Sequence, residues 1–261
     1  MGLPATQLAR PGAGLALRCA AAASLGLAPV LWFQGRGVRR RTPRVGPAAG
    51  AATGHVAGAT PPLSLLTLGE SPVAGWGAPD HGQAITGRLA AALARRTGRA
   101  VDWRARGRDG VTAARTRREL LPGLDPVPGG IVVAALGVND SVGLTPPRAW
   151  RRELAGLIDD IRARLRPATI AISGVPPMHR FPALPQPLAG ALGLRAALLD
   201  AIARDAAVAA GCRFVPVPRD GGPDFFCTDG FHPSPAGHAR WADILAAALA
   251  PEIAPHDTDA A

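Results

Sequence analysis

The sequence predicts a three-layer α/β domain built on about five parallel strands, and three observations predict it. From Pro62 onward, short apolar runs alternate with amphipathic stretches, the pattern of strand–helix–strand units. Three of those runs are nearly continuous aliphatic segments, as strands covered by helices on both faces are. Each change of pattern falls near Gly, Pro, Asp or Ser, the residues that end helices and turn the chain. At 261 residues, 48% of them apolar, the chain can build one large domain with a sizeable core and an appendage.

Taken in order, the strands are expected at Ser64–Leu68, Ala100–Arg106, Ile131–Leu136, Thr169–Val175 and Arg213–Val217. Helices are expected near Gly82–Arg96, Thr112–Leu121, Arg148–Leu165 and Leu192–Ala210, with a last one over Pro235–Ala250. No internal repeat is visible. The stretch Pro176–Leu188 is too proline-rich for a helix or a central strand and reads as a stiff loop over the carboxyl edge of the sheet.

Residues 1–41 stand apart. Between Cys19 and Phe33 there is no charge, and then come Arg36, Arg39, Arg40, Arg41 and Arg44. Fifteen residues fall short of the ~20 a spanning helix needs. Starting at Gly12 gives twenty-two but encloses Arg18, which would have to snorkel towards a headgroup region. Most of the charge follows the apolar run, the reverse of a signal peptide. Two expectations stay open: membrane association through residues 12–33, with everything after the arginines left cytoplasmic by the positive-inside tendency, or a surface-packed or disordered Ala-rich helix on a cytoplasmic protein. Residues 42–61, rich in Pro, Gly and Ala, read as a linker, 62–250 as the folded domain and 251–261 as a flexible tail.

A net charge of +10 invites a nucleic-acid reading, which the distribution of charge weakens. Residues 1–60 carry seven of the 29 basic residues and no acid, leaving 22 Arg against 19 acids in the remainder. A nearly balanced domain is not a phosphate-tracking surface. All basic residues are Arg, a compositional bias rather than a selected geometry. Cys19, Cys212 and Cys227 cannot form a disulfide framework; Cys212 and Cys227 either pair or stay as free thiols. No Cys/His spacing suggests a metal, and no cofactor is implied.

A parallel sheet concentrates chemistry at the carboxyl ends of its strands. The loops there hold Gly69-Glu70-Ser71, Gly107-Arg108-Asp109-Gly110, Gly137-Val138-Asn139-Asp140 and Pro176-Pro177-Met178-His179, with Asp229-Gly230-Phe231-His232 before the last helix. Serine is a poor nucleophile until a base takes its proton, and the base works best when a carboxylate fixes its tautomer. Ser71, His232 and Asp229 supply those roles, and Asp229 and His232 stand three apart, close enough for one turn to join them. The backbone amides of Ser71 and Gly107 and the side-chain amide of Asn139 are the candidate oxyanion donors. Met178, Phe181 and Leu184 are expected either to line an acyl or alcohol pocket or to pack against the domain body. Asp140 is assigned to holding its own loop; His81, His179, His238 and Trp76 receive no chemistry.

These residues resemble the SGNH/GDSL hydrolase family. Its first block, Gly-Asp-Ser, corresponds to Gly69-Glu70-Ser71, its second-block Gly to Gly107, its third block to Gly137-Val138-Asn139-Asp140 and its fifth, Asp-x-x-His, to Asp229-Gly230-Phe231-His232. The order of four blocks over roughly residues 62–250 is more specific than any one of them. The resemblance implies a flavodoxin-like fold and metal-free hydrolysis of small acyl esters. Glu70 departs from the family's usual Asp, which places the turn geometry in question and leaves Ser71 chemically competent. Two alternatives remain: transfer of the acyl group to an alcohol or thiol (acyltransferase or thioesterase), which pocket shape decides, and a catalytically silent membrane-tethered binding domain. Oligomeric state is not legible.

Overall fold

A computed structural model describes residues 28–43, 45–218, 222 and 224–253. At its centre lies one sheet of β1 (Thr53–Val56), β2 (Ala59–Gly69), β3 (Arg99–Gly107), β4 (Ile131–Ala135), β5 (Thr169–Ser173) and β6 (Arg213–Val215), ordered β1-β3-β2-β4-β5-β6. β2 through β6 are the five parallel strands expected from sequence; β1 is added antiparallel at the edge of β3.

The helices are α1 (Ala28–Arg41), α2 (Ile85–Thr97), α3 (Ala113–Arg115), α4 (Val138–Val142), α5 (Pro147–Leu165), α6 (Leu188–Ala209) and α7 (Pro235–Leu249). α3 runs on as a π-helical turn over Thr116–Leu120, so the helix expected at 112–121 is two short pieces. Alternation along the strands makes the layers. Leu66 and Leu68 of β2 pack with Leu154 and Ile158 of α5 and Leu199 of α6, whereas Leu63 and Leu65 pack with Leu89 of α2 and Leu245 of α7. Side chains of this kind contribute about 1.5–3 kcal/mol each when fully buried. That burial on both faces explains why β4 reads as a continuous aliphatic run.

Two expectations about the flanks change, and the described part of the N-terminal segment follows one of its two open readings. Residues 42–61 are not a linker: β1 and the start of β2 lie there, with Thr53–Val56 paired to Val101–Arg104. The pairing is made by β3, not by the strand's own weak and exposed sequence. Residues 12–27 lie outside the described residues, but Ala28–Phe33 begin α1, whose Leu31 and Val38 pack against the core. Gln34 donates to Gln186 O at 2.7 Å and accepts from Leu188 N at 3.1 Å, fastening α1 to the start of α6. Among the described residues no helix is long and apolar enough to cross a membrane. In the tail, Ala250–Glu252 form a 3-10 turn whose Glu252 pairs with Arg213; residues 254–261 lie outside the described residues.

β2 is flanked by β3 on one side and β4 on the other, so the chain steps one way from β2 to β3 and then back across β2 to β4. The crevice at its carboxyl end is the topological switch point, where such sheets bind ligands.

Candidate active site

β2 ends at Gly69, and the chain turns at once: Val73 N and Ala74 N donate to Glu70 O, and Trp76 N donates to Ser71 O. Ser71 therefore opens a tight helical turn directly above the sheet. Gly107, ending β3, presses against this turn; a Cβ there would lie 2.2 Å from Ala74 N and 2.5 Å from Val73 C, so no side chain fits. Gly137, after β4, has φ +123°, a conformation L side chains rarely adopt, and it directs the chain into α4.

His232 comes from the other end of the chain, held by the loop that precedes α7. Ser234 caps that helix, accepting from Gly237 N at 3.1 Å, with Pro235 as the first helical residue. The cap fixes where the loop ends. His232 Nε2 stands 3.0 Å from Ser71 Oγ, and His232 Nδ1 stands 2.6 Å from Asp229 Oδ2. The structure thus brings together Ser71, His232 and Asp229, separated by up to 161 positions in sequence. The Trp76 and Phe231 rings flank the imidazole with centroids 5.1 and 5.4 Å away.

Asp229 is almost wholly buried. Its Oδ1 accepts from Phe231 N at 2.8 Å, His232 N at 2.9 Å and the Cys227 thiol at 2.9 Å. Burial pushes this carboxyl up, but the bonds from His232, Cys227 and the two amides outweigh it and hold the group well below the usual carboxylate range. In turn, burial and the bond to Asp229 push the Cys227 thiol up to about 11, so it stays protonated as a donor. Cys212 and Cys227 are both free thiols, which settles the alternative left open by sequence.

Glu70 is the other buried carboxyl at this edge. Its Oε1 accepts from Gly137 N at 2.8 Å and Asn139 N at 3.1 Å, so the residue that departs from the resemblance ties the Ser71 turn to the Asn139 loop. Burial, opposed by those amides and aided by nearby Asp140, pushes its pKa up to about 8. Asn139 Nδ2 donates to Val111 O at 3.0 Å. Asp140 does more than hold its own loop: its Oδ2 accepts from Ala113 N at 2.9 Å, which anchors α3.

Beside Ser71 opens a pocket walled by Val138, Phe181, Val217, Phe226, Phe231 and Trp241, among others. Phe181 meets Phe226 and Phe231 edge-on, each at 5.1 Å. Of the two readings open for Met178, Phe181 and Leu184, the pocket one fails for Met178 and Leu184, which pack against the domain body, while Phe181 lines the pocket. Met178 is fully buried in the core and Leu184 packs against that core, because the proline-rich loop tucks inward; neither lines the pocket. Sequence reasoning missed the Cys227 contact, the Trp76 ring beside the imidazole, and Phe226 and Phe231 in the wall that Phe181 joins. Of these missed groups, only Phe231, lying between Asp229 and His232, carried a usable signal. His238 is buried, and its Nε2 bonds Trp76 O at 3.0 Å; burial pushes it down to about 4. Among the described residues no cluster of three or more His, Cys, Asp or Glu could hold a metal ion.

The family model described as GDSL-like lipase/acylhydrolase matches residues 67–240. No curated protein sequence matches the chain. Among solved structures, similarity is found to a lipase/acylhydrolase from Enterococcus faecalis, at 18% identity and TM-score 0.57, covering 75% of this chain and 99% of that one. An extracellular lipase from Streptomyces rimosus aligns at 17% identity and TM-score 0.54, covering 71% and 99%. Est24, a carbohydrate acetylesterase from Sinorhizobium meliloti, aligns at 18% identity and TM-score 0.54, covering 73% and 100%. At such identities these structures share the fold.

Proposed function

The chain belongs to the GDSL-like lipase/acylhydrolase family and is a carboxylic ester hydrolase, and on that premise we propose that it works through an acyl-enzyme on Ser71. The observation that carries the reading is the continuous line of hydrogen bonds from Ser71 Oγ through His232 to Asp229, at 3.0 and 2.6 Å. As Ser71 Oγ attacks the ester carbonyl carbon, His232 Nε2 takes its proton and Asp229 stabilises the resulting imidazolium. The oxyanion is met by the amides of Ser71 and Gly107 and by the N–H of Asn139 not engaged with Val111. Collapse returns the proton from His232 to the departing alcohol. Water, deprotonated by the same nitrogen, then attacks the acyl carbon and frees Ser71.

The phenylalanine-walled pocket beside Ser71 suits an apolar acyl or alcohol group, with Phe181 as its wall. A complete set of nucleophile, base, acid and donors weighs against a silent binding domain, and nothing in the site favours transfer over hydrolysis. The test is hydrolysis of p-nitrophenyl acetate, butyrate and octanoate by the full chain beside Ser71→Ala and Asn139→Ala. Loss of activity and of fluorophosphonate labelling in Ser71→Ala, with a fall of about 10²–10³ in kcat for Asn139→Ala, is expected. A folded wild type that neither hydrolyses nor labels would overturn the reading.

A further inference from the structure

Six large apolar side chains are exposed among the described residues, and three of them, Val30, Trp32 and Phe33, fall within four positions of α1. Trp32 and Phe33 are the two aromatic members of that set, 58% and 68% exposed, with ring centroids 5.0 Å apart. The same helix carries Arg36, Arg39, Arg40 and Arg41 and no acidic residue. At 100° per residue, Leu31, Gln34 and Val38 share the face fastened to the domain, while Trp32, Phe33, Arg36, Arg39 and Arg40 share the opposite one. Arg36 lies over the Trp32 ring, 5.6 Å from its centroid. The outward face is therefore aromatic in its first half and cationic in its second.

We propose that the outward face of α1 is a docking surface for an anionic phospholipid bilayer. Aromatic rings bury at the headgroup–acyl boundary, and arginines of the same helix pair with lipid phosphates. The inward face is already occupied by the domain, so the helix lies on the bilayer and does not cross it. Charge complementarity selects the occupant: residues 1–60 hold seven arginines and no acid, so an acidic surface meets no repulsion there. The placement is also useful. α1 borders a groove whose other wall includes Pro182, Ala183 and Thr228–Gly230. The neighbours Phe181, Phe231 and His232 line the pocket at Ser71, so a bilayer held by α1 lies next to the site where an acyl group is read.

The experiment is sedimentation of the full chain with phosphatidylcholine vesicles, with and without phosphatidylglycerol, across a range of salt. The wild type is expected to sediment with the anionic vesicles and to be released as salt rises. Trp32→Ser/Phe33→Ser is expected to lose about tenfold or more in binding, from two aromatic side chains no longer buried in lipid. Arg39→Gln/Arg40→Gln is expected to lose the preference for anionic over neutral vesicles. Both variants should hydrolyse a soluble short-chain ester at the wild-type rate and keep the wild-type circular dichroism, which separates lost docking from lost folding. A wild type that stays in solution with anionic vesicles would overturn the proposal. So would variants that sediment like the wild type, which would place the binding in residues upstream of α1.

Discussion

Two carboxyl groups sit at the same edge of the sheet, each nearly sealed from water, and they are driven in opposite directions. Glu70 is 3% exposed and Asp229 4%. Glu70 offers one oxygen to two backbone amides, and burial wins, so it carries its proton at neutral pH. Asp229 uses both oxygens for four donors, one of them the imidazole, and the donors win, so it stays ionised. Burial alone does not fix the charge of a carboxyl: at Glu70 the neighbouring Asp140 adds to the rise, whereas at Asp229 the imidazole, the thiol and two amides oppose it. The neutral group braces two loops, and the charged one is placed to work with a base.

The largest break in that comparison comes from Asp229→Asn. It keeps the shape but removes the charge opposite the imidazolium, and a fall on the order of 10⁴ in kcat is expected with KM little changed, measured on a p-nitrophenyl ester. Glu70→Gln goes the other way, because it makes permanent the neutral state that Glu70 already holds. Its folded pKa lies above the reference value of 4.5, so the folded protein binds more protons than the unfolded chain, and stability falls as pH rises from about 4.5 to about 8. Thermal melts across that window should show the decline flattened in Glu70→Gln, with activity at pH 7 near wild type. Asp229 tilts stability oppositely. Its depressed pKa contributes stability that is present above 3.8 and lost as pH falls through the folded value.

A smaller effect is expected from the thiol that helps keep Asp229 ionised. Cys227→Ala should lower kcat several-fold and move the acid limb of the pH–rate profile, since a charge-assisted donor contributes about 1.5–3 kcal/mol at most. Cys227→Ser, which restores a donor, should recover both. The smallest change should follow Phe181→Ala, a shift in preference among acetate, butyrate and octanoate esters rather than in the rate on the best of them. An unchanged chain-length profile would remove Phe181 from the pocket wall.

How much of the fold and site is legible in the sequence depends on what the neighbours supply. The five parallel strands announce themselves because a strand buried on both faces must be apolar throughout, as Ile131–Ala135 is. β1 does not, because its four residues are at most half-buried and its order comes from pairing with β3. At the site, the places of Ser71 after β2 and of Asp229 and His232 before α7 mark them as candidates, and the structure brings the three side chains together. For Met178 two readings stay open in the sequence, because a proline-rich stretch shows stiffness and not which way it folds, and the side chain packs into the core. Glu70 is visible in the sequence as a departure, but its two bonds to the Asn139 loop join residues 67 and 69 positions apart and show only in three dimensions. The Cys227 contact had no sequence signal, since a cysteine two positions before an aspartate points anywhere the turn allows.

Ser71 and His232 are 161 positions apart, and that interval is also a span of time. A ribosome adding roughly 5–20 residues per second needs about 8–30 s to travel it. Throughout that interval the emerging chain displays a serine with nothing to take its proton, as inert towards esters as serine in any peptide. On the proposed mechanism, the hydroxyl gains its base only when the last loop and α7 have left the exit tunnel and closed onto the sheet. On that mechanism truncated or half-made chains leave the esters around them intact, and the onset of hydrolysis can serve as a clock for the completion of the fold.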